Sequence, residues 1–161
     1  MDIGLIVVLN HFFQRNKQTL YKTKLPVFKM GKRGFSSLSQ GVILSQDAHE
    51  IEQESSVIFD VATQLSLGLK LYTYNPDHEN AKNSLIEHFD NLSKIFGREV
   101  DVVQSERNPL VKLQNKDDIL QFIPFSSKIV ESTFLSIFST DMEKLHFKLA
   151  DNYQLFIPIN A

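Results

Sequence analysis

The sequence predicts an α+β fold: a mostly antiparallel sheet with two main helices packed on one face and a C-terminal β-meander. Three observations carry that expectation. Strand-like runs cluster at both ends of the 161 residues, while two helical patterns hold the middle. The last third alternates: Leu145, Phe147 and Leu149 enclose His146 and Lys148, and after Asp151-Asn152 the pattern resumes with Tyr153, Leu155, Ile157 and Ile159. No repeat, low-complexity tract or long linker divides the chain, so residues 1–161 are expected to form a single globular domain, large enough to bury a core without staples.

Taken in order, Ile3 to Phe13 reads as a central strand, apolar on both faces in its middle. The run is too short to span a membrane and lacks the basic start and cleavage site of a signal peptide. The protein is therefore expected to be soluble and cytoplasmic, with no membrane partner. Gln14 to Lys17 is a polar connection. Thr19 to Met30 resumes extended character, and Pro26, which cannot donate to a ladder, marks an edge or a bulge. Gly31-Lys32-Arg33-Gly34 is a turn. Val42 to Leu44 is a short strand. Ser45 or Asp47 caps a helix whose apolar positions are Ile51, Ile58, Val61, Ala62 and Leu65, with Gly68 near its end. Leu69 to Tyr74 is a strand, broken by Asn75-Pro76-Asp77.

Asp77 leads a second helix to Phe96, with Leu85, Phe89, Leu92 and Phe96 as its stripe and Gly97 as its stop. Glu99 to Val103 is a strand, and Leu110 to Leu113 is extended. Asn115 caps a short helix, Lys116 to Phe122, stopped by Pro124. Ile129 to Phe138 is apolar or small on both faces and reads as a covered strand; Val130, Phe134 and Phe138 lie four apart, so a helix competes. A three-residue loop, Ala150-Asp151-Asn152, would close the terminal hairpin with Asn152 in the left-handed region. It sets Leu149 opposite Tyr153 and Phe147 opposite Leu155.

Little in the chain announces chemistry. With no cysteine, disulfides, thiolate metal sites and thiol nucleophiles are excluded. None of His11, His49, His78, His88 and His146 pairs with another at the spacing that puts two ligands on one helix face. Glu50 and Glu54 share a helical face that could meet a hard cation, yet a bare acidic face is ordinarily solvated surface. The Walker pattern is missing around Gly31-Lys32, as is any Gly-x-Ser-x-Gly elbow. No metal and no cofactor are expected. An acid–base pair of His88 with the neighbouring Glu87 is the remaining route to an enzyme.

Charge is unevenly spread. Residues 1–46 carry +6 and residues 47–161 carry −8. The basic groups sit among aromatics, so Tyr21, Lys22, Lys24, Phe28, Lys29, Lys32 and Arg33 are the candidate partner-binding residues, on a basic N-terminal hairpin that meets an acidic protein partner. Edge protection by lysine is the structural alternative. Ile123-Pro124-Phe125-Ser126-Ser127, ahead of a strand meander, resembles the SMI1/KNR4-like immunity proteins, although the Asp-Gly-Gly turn usual in that family is missing. The functional expectation is a non-catalytic protein-binding module of the inhibitor or immunity type. A nucleic-acid binder using the same basic segment is the alternative, and a small enzyme near His88 is the second.

Overall fold

The apolar run that opens the chain is a shorter strand than its hydropathy predicts. In the computed structural model, which describes residues 4–32, 38–43, 48–73, 79–104, 113, 116–131 and 151–160, β1 spans Ile6–Leu9 and helix α1 follows at once, Asn10–Lys22. Phe13, Lys17 and Leu20 repeat at helical spacing and form the buried stripe of α1, and Lys22 in its last turn suits the helix dipole. The Thr23 hydroxyl donates to the Leu20 carbonyl at 2.6 Å, and Lys24 turns the chain with φ of 57°. The chain then returns as β2, Val27–Met30, parallel to β1.

The next strands are β3 (Gln40–Ile43), β4 (Gly68–Thr73), β5 (Val100–Gln104), β6 (Ile119–Phe125) and β7 (Tyr153–Pro158). Helices α2 (Ala48–Gln64) and α3 (Glu79–Phe96) link β3 to β4 and β4 to β5, and a short α4 (Ser127–Glu131) follows β6. The strands form one seven-stranded sheet in the order β1-β2-β7-β6-β3-β4-β5. Every neighbouring pair is parallel except β2 and β7. Leu85 and Phe89 bury the stripe of α3, and Gly97 ends that helix with φ of +64°. Arg98 then donates to Thr63 Oγ1 at 3.2 Å and to the Leu67 carbonyl, tying this end to the turn between α2 and β4.

Besides a smaller cluster that joins Val42, Tyr72, Leu113 and Ile119, the two larger apolar cores lie on opposite sides of the sheet. One joins Ile58, Phe59 and Ala62 of α2 and Leu85 and Phe89 of α3 to Leu71, Phe122, Leu155 and Ile157. The other joins Phe13 and Leu20 of α1 and Ile129 of α4 to Val27, Ile123, Phe125 and Phe156. Phe13 stacks on Phe156 with centroids 4.1 Å apart. Gly41 admits the Phe122 ring over β3: a Cβ there would meet that ring at 2.5 Å.

The fold class is therefore α/β, doubly wound, and the expectation of a mostly antiparallel sheet is overturned. Parallel strands covered on both faces read as continuous apolar runs, and that pattern does not announce direction. β6 is such a case: it was expected as a helix from Lys116 to Phe122, yet it is a strand buried along nearly its whole length. Pro124 is tolerated in it. Ile159 N–H donates to the Phe125 carbonyl at 3.3 Å, so Phe125 faces β7 and Pro124 faces the β3 side, beyond Ile43, the last paired β3 residue among the described residues.

The C-terminal meander is likewise overturned, because β7 already has β6 on one side and β2 on the other. The hairpin partner expected at Leu145, Phe147 and Leu149 lies outside the described residues. The strand expected over Ile129 to Phe138 begins instead as α4, and its continuation is outside the described residues. The strand expected over Ile3 to Phe13 gives way to helix at Asn10, and the extended run expected from Thr19 to Met30 is helix as far as Lys22 and strand only from Val27, where β2 lies between β1 and β7; Arg33 and Gly34 of the expected basic turn lie outside the described residues.

Candidate functional site

The two cores imply a crevice. Helix α2, which follows β3, packs on one side of the sheet, while α4, which follows β6, packs on the other. β3 and β6 are hydrogen-bonded neighbours, so their carboxyl ends, at Ile43 and Phe125, part company at the point where strand order reverses. In open α/β sheets ligands bind outside the carboxyl ends at such a switch point.

The residues around that point are more polar than the cores beneath. Ser126 is buried directly after β6, and its carbonyl accepts from Ile129 N–H at 3.1 Å and Val130 N–H at 3.3 Å, which starts α4. Gln53 Oε1 accepts the Asn160 N–H at 2.8 Å, just past β7, which pins the first half of α2 to the carboxyl end of the sheet. The next two residues, Glu54 and Ser55, are buried there, whereas the second half of α2 buries Ile58, Phe59 and Ala62. Residues 44–47 and 74–78, which leave β3 and β4, lie outside the described residues.

A second polar group crosses the opposite face. Lys29, Gln154 and Gln121 stand in register on β2, β7 and β6. Gln154 Nε2 donates to Gln121 Oε1 at 2.8 Å, and all three side chains are buried. Burial lowers the Lys29 amine to about 7; the Asp151 carboxylate pulls it back up and Lys32 pushes it further down. Burial also lowers the amine of Lys17, which lies on the sheet-facing stripe of α1.

The residues expected to bind a partner are dispersed rather than gathered. Tyr21 and Lys22 sit in the last turn of α1, Tyr21 edge-on to Phe125 with centroids 5.4 Å apart. Lys24 is exposed, and its ammonium lies 4.2 Å from the Tyr21 ring. Phe28 is half-buried and packs on Tyr153, on the side of the sheet opposite Lys29. Lys32 pairs with Asp151 at 3.1 Å, and Arg33 is outside the described residues. Nothing in the composition marks Lys29 as different from its neighbours; its burial comes from α1 above it and β7 beside it.

His88 is half-buried, edge-on to Phe89, and its Nε2 has no hydrogen-bond partner among the described residues. Asp90 pairs with Lys94 at 2.9 Å instead. Among the described residues no group of three His, Asp or Glu could hold a metal, and no helix is long and apolar enough to cross a membrane.

No family model and no curated protein matches the chain. Several solved structures share its fold, two of them from one organism. A protein of Pseudomonas aeruginosa named as a candidate universal stress protein superposes with a TM-score of 0.52 at 10% identity. A functionally unknown protein of the same organism gives 0.53 at 11% identity. Each comparison covers 96% of this chain and 63% of the other, so the chain spans under two thirds of those proteins' length. The likeness establishes a universal-stress-protein-like α/β fold. It overturns the expectation of an immunity or inhibitor module, and neither the nucleic-acid alternative nor the His88 enzyme finds support in it.

Proposed function

We propose that the chain is a small-molecule-binding protein of the universal-stress-protein type, working in the cytoplasm, whose ligand is a nucleotide held at the carboxyl ends of β3 and β6. The reversal of strand order between those two strands carries the reading. Helix α2 begins five residues after β3 ends, so its first-turn amides and its positive dipole end lie beside the crevice and favour a phosphate. Glu54 and Ser55 add buried polar groups on the same helix, of the kind that hold sugar hydroxyls.

The test is calorimetric titration of the full chain with adenosine and guanosine mono-, di- and triphosphates, paired with amide NMR. Saturable binding is expected for at least one nucleotide, with shifts gathered at Ser126 to Val130 and the start of α2. Ligand at a hundredfold over its Kd would stabilise the fold by about 2.7 kcal/mol. No heat from any nucleotide at millimolar concentration, or shifts gathered on β1 and α1 instead, would overturn the reading.

A further inference from the structure

β1 ends the sheet, and β2 is its sole strand neighbour among the described residues. Among the described residues one side of its backbone therefore faces no other strand. Edges of this kind pair with other chains unless charge, proline or a bulge blocks them. The opposite edge is guarded: Glu99 precedes β5 and Asp101 stands exposed within it. Gly4 to Leu9 carries no charge and no proline.

The same strand exposes an apolar row. Ile6 and Val8 face α1, which leaves Leu5, Val7 and Leu9 on the other side, 52%, 59% and 67% exposed. Half-buried Phe28 and Met30, the register partners of Val7 and Leu9, continue that row onto β2. Helices α2 and α3 cover this side of the sheet farther along, over β5, β6 and β7, and do not shield the row.

We infer that β1 is the interface between two copies of this chain, paired antiparallel about a two-fold axis at Val7. The segment Leu5-Ile6-Val7-Val8-Leu9 is symmetric in character about its centre, so it is its own complement. In that register Leu5 lies opposite Leu9 of the partner copy and Val7 opposite Val7 of the partner subunit, apolar against apolar. An absence of charge on the strand favours a neutral partner strand, and an identical β1 is one. A short ladder by itself falls well below the roughly 800 Å² per partner of a standard interface, so the apolar row must add to it and the dimer is concentration-dependent. Phe12, 50% exposed in the first turn of α1, lies at the end of the row.

Sedimentation velocity over a wide concentration range tests this. The unmodified chain should pass from monomer to dimer, and Val7→Lys should weaken the dimer at least about tenfold with its circular dichroism unchanged. Because the chain has no cysteine, Val7→Cys should form a disulfide-linked dimer on mild oxidation. Ile95→Cys, 73% exposed but on α3, should cross-link far less. Should Val7→Lys fail to fold, the two cysteine variants decide the matter. A chain that stays monomeric throughout overturns the inference, as does a dimer indifferent to Val7→Lys or cross-linking equally from both cysteines.

Discussion

The sheet has two parts that differ in direction and in cover. β3 to β7 are five parallel strands, with α2 and α3 on one side and α1 and α4 over β6 and β7 on the other; β1 and β2 are a second parallel pair that joins them at β7 running the opposite way. Within the five-stranded part β6 and β7 are buried on both faces, whereas β5 at the far edge is half-buried and carries exposed Asp101 and Gln104. The added pair is covered by α1 on one face and open on the other, so Val8 is buried while Val7 and Leu9 are exposed. The difference teaches that apolar character along a strand does not by itself mean double cover. The seam between the parts, from Val27 to Lys29 against Gln154 to Phe156, is where the two depend on each other.

The largest expected effect is at that seam. Phe156 is fully buried, stacked on Phe13 of the added unit and edge-on to Phe125 of the core, with centroids 4.1 Å and 5.6 Å apart. Phe156→Ala should cost about 3–5 kcal/mol in urea unfolding. Hydrogen exchange would sharpen the comparison: if β1 and β2 open while β3 to β5 stay protected, the two parts are separate cooperative units. Uniform loss of protection would show that they fold as one.

Gly41→Ala probes the core alone. The new methyl would press on the Phe122 ring, and overpacking of this sort costs about 1–3 kcal/mol. Thermal unfolding that matches the unmodified chain would show that the ring swings aside freely.

Lys29 supplies a pH dependence. Unfolded, its amine holds a proton up to the ordinary value of 10.5; folded, only to about 7. Between those values the unfolded state binds more protons, so stability rises with pH across the window, by up to ~1.4 kcal/mol per unit, and flattens below it. Lys29→Met should remove most of that slope, read from urea midpoints at pH 7.5 and 9. An equal slope in the variant would mean that another group titrates there.

The smallest effect belongs to the open face. Leu9→Ser should change the stability of the monomer by no more than about 0.5 kcal/mol, because the side chain is largely in water already. A larger loss measured in dilute solution would mean that something covers β1 even there.

Local signals located much of the middle of the chain. The stripe of Leu85 and Phe89 with Gly97 behind it marked α3, and the run from Leu69 marked β4. Tyr153, Leu155 and Ile157 were legible as one buried face of a strand, since a period of two survives wherever that face meets a core. Gln154 and Phe156, between them, are just as buried, but on the other face, and a polar residue among apolar ones reads as outward until its neighbour is known. Strand direction was out of reach for a similar reason. Ladder partners such as Gln40 and Ile119 lie far apart in the chain, and nothing in either strand states which way the other runs. The switch point between β3 and β6 follows from α2 and α4 packing on opposite faces, so the candidate site belongs to the strand order. Phe12 and Phe13 show the same limit at short range: a run of apolar residues satisfies strand and helix alike, and α1 wins because Phe13, Lys17 and Leu20 then fall together on the sheet.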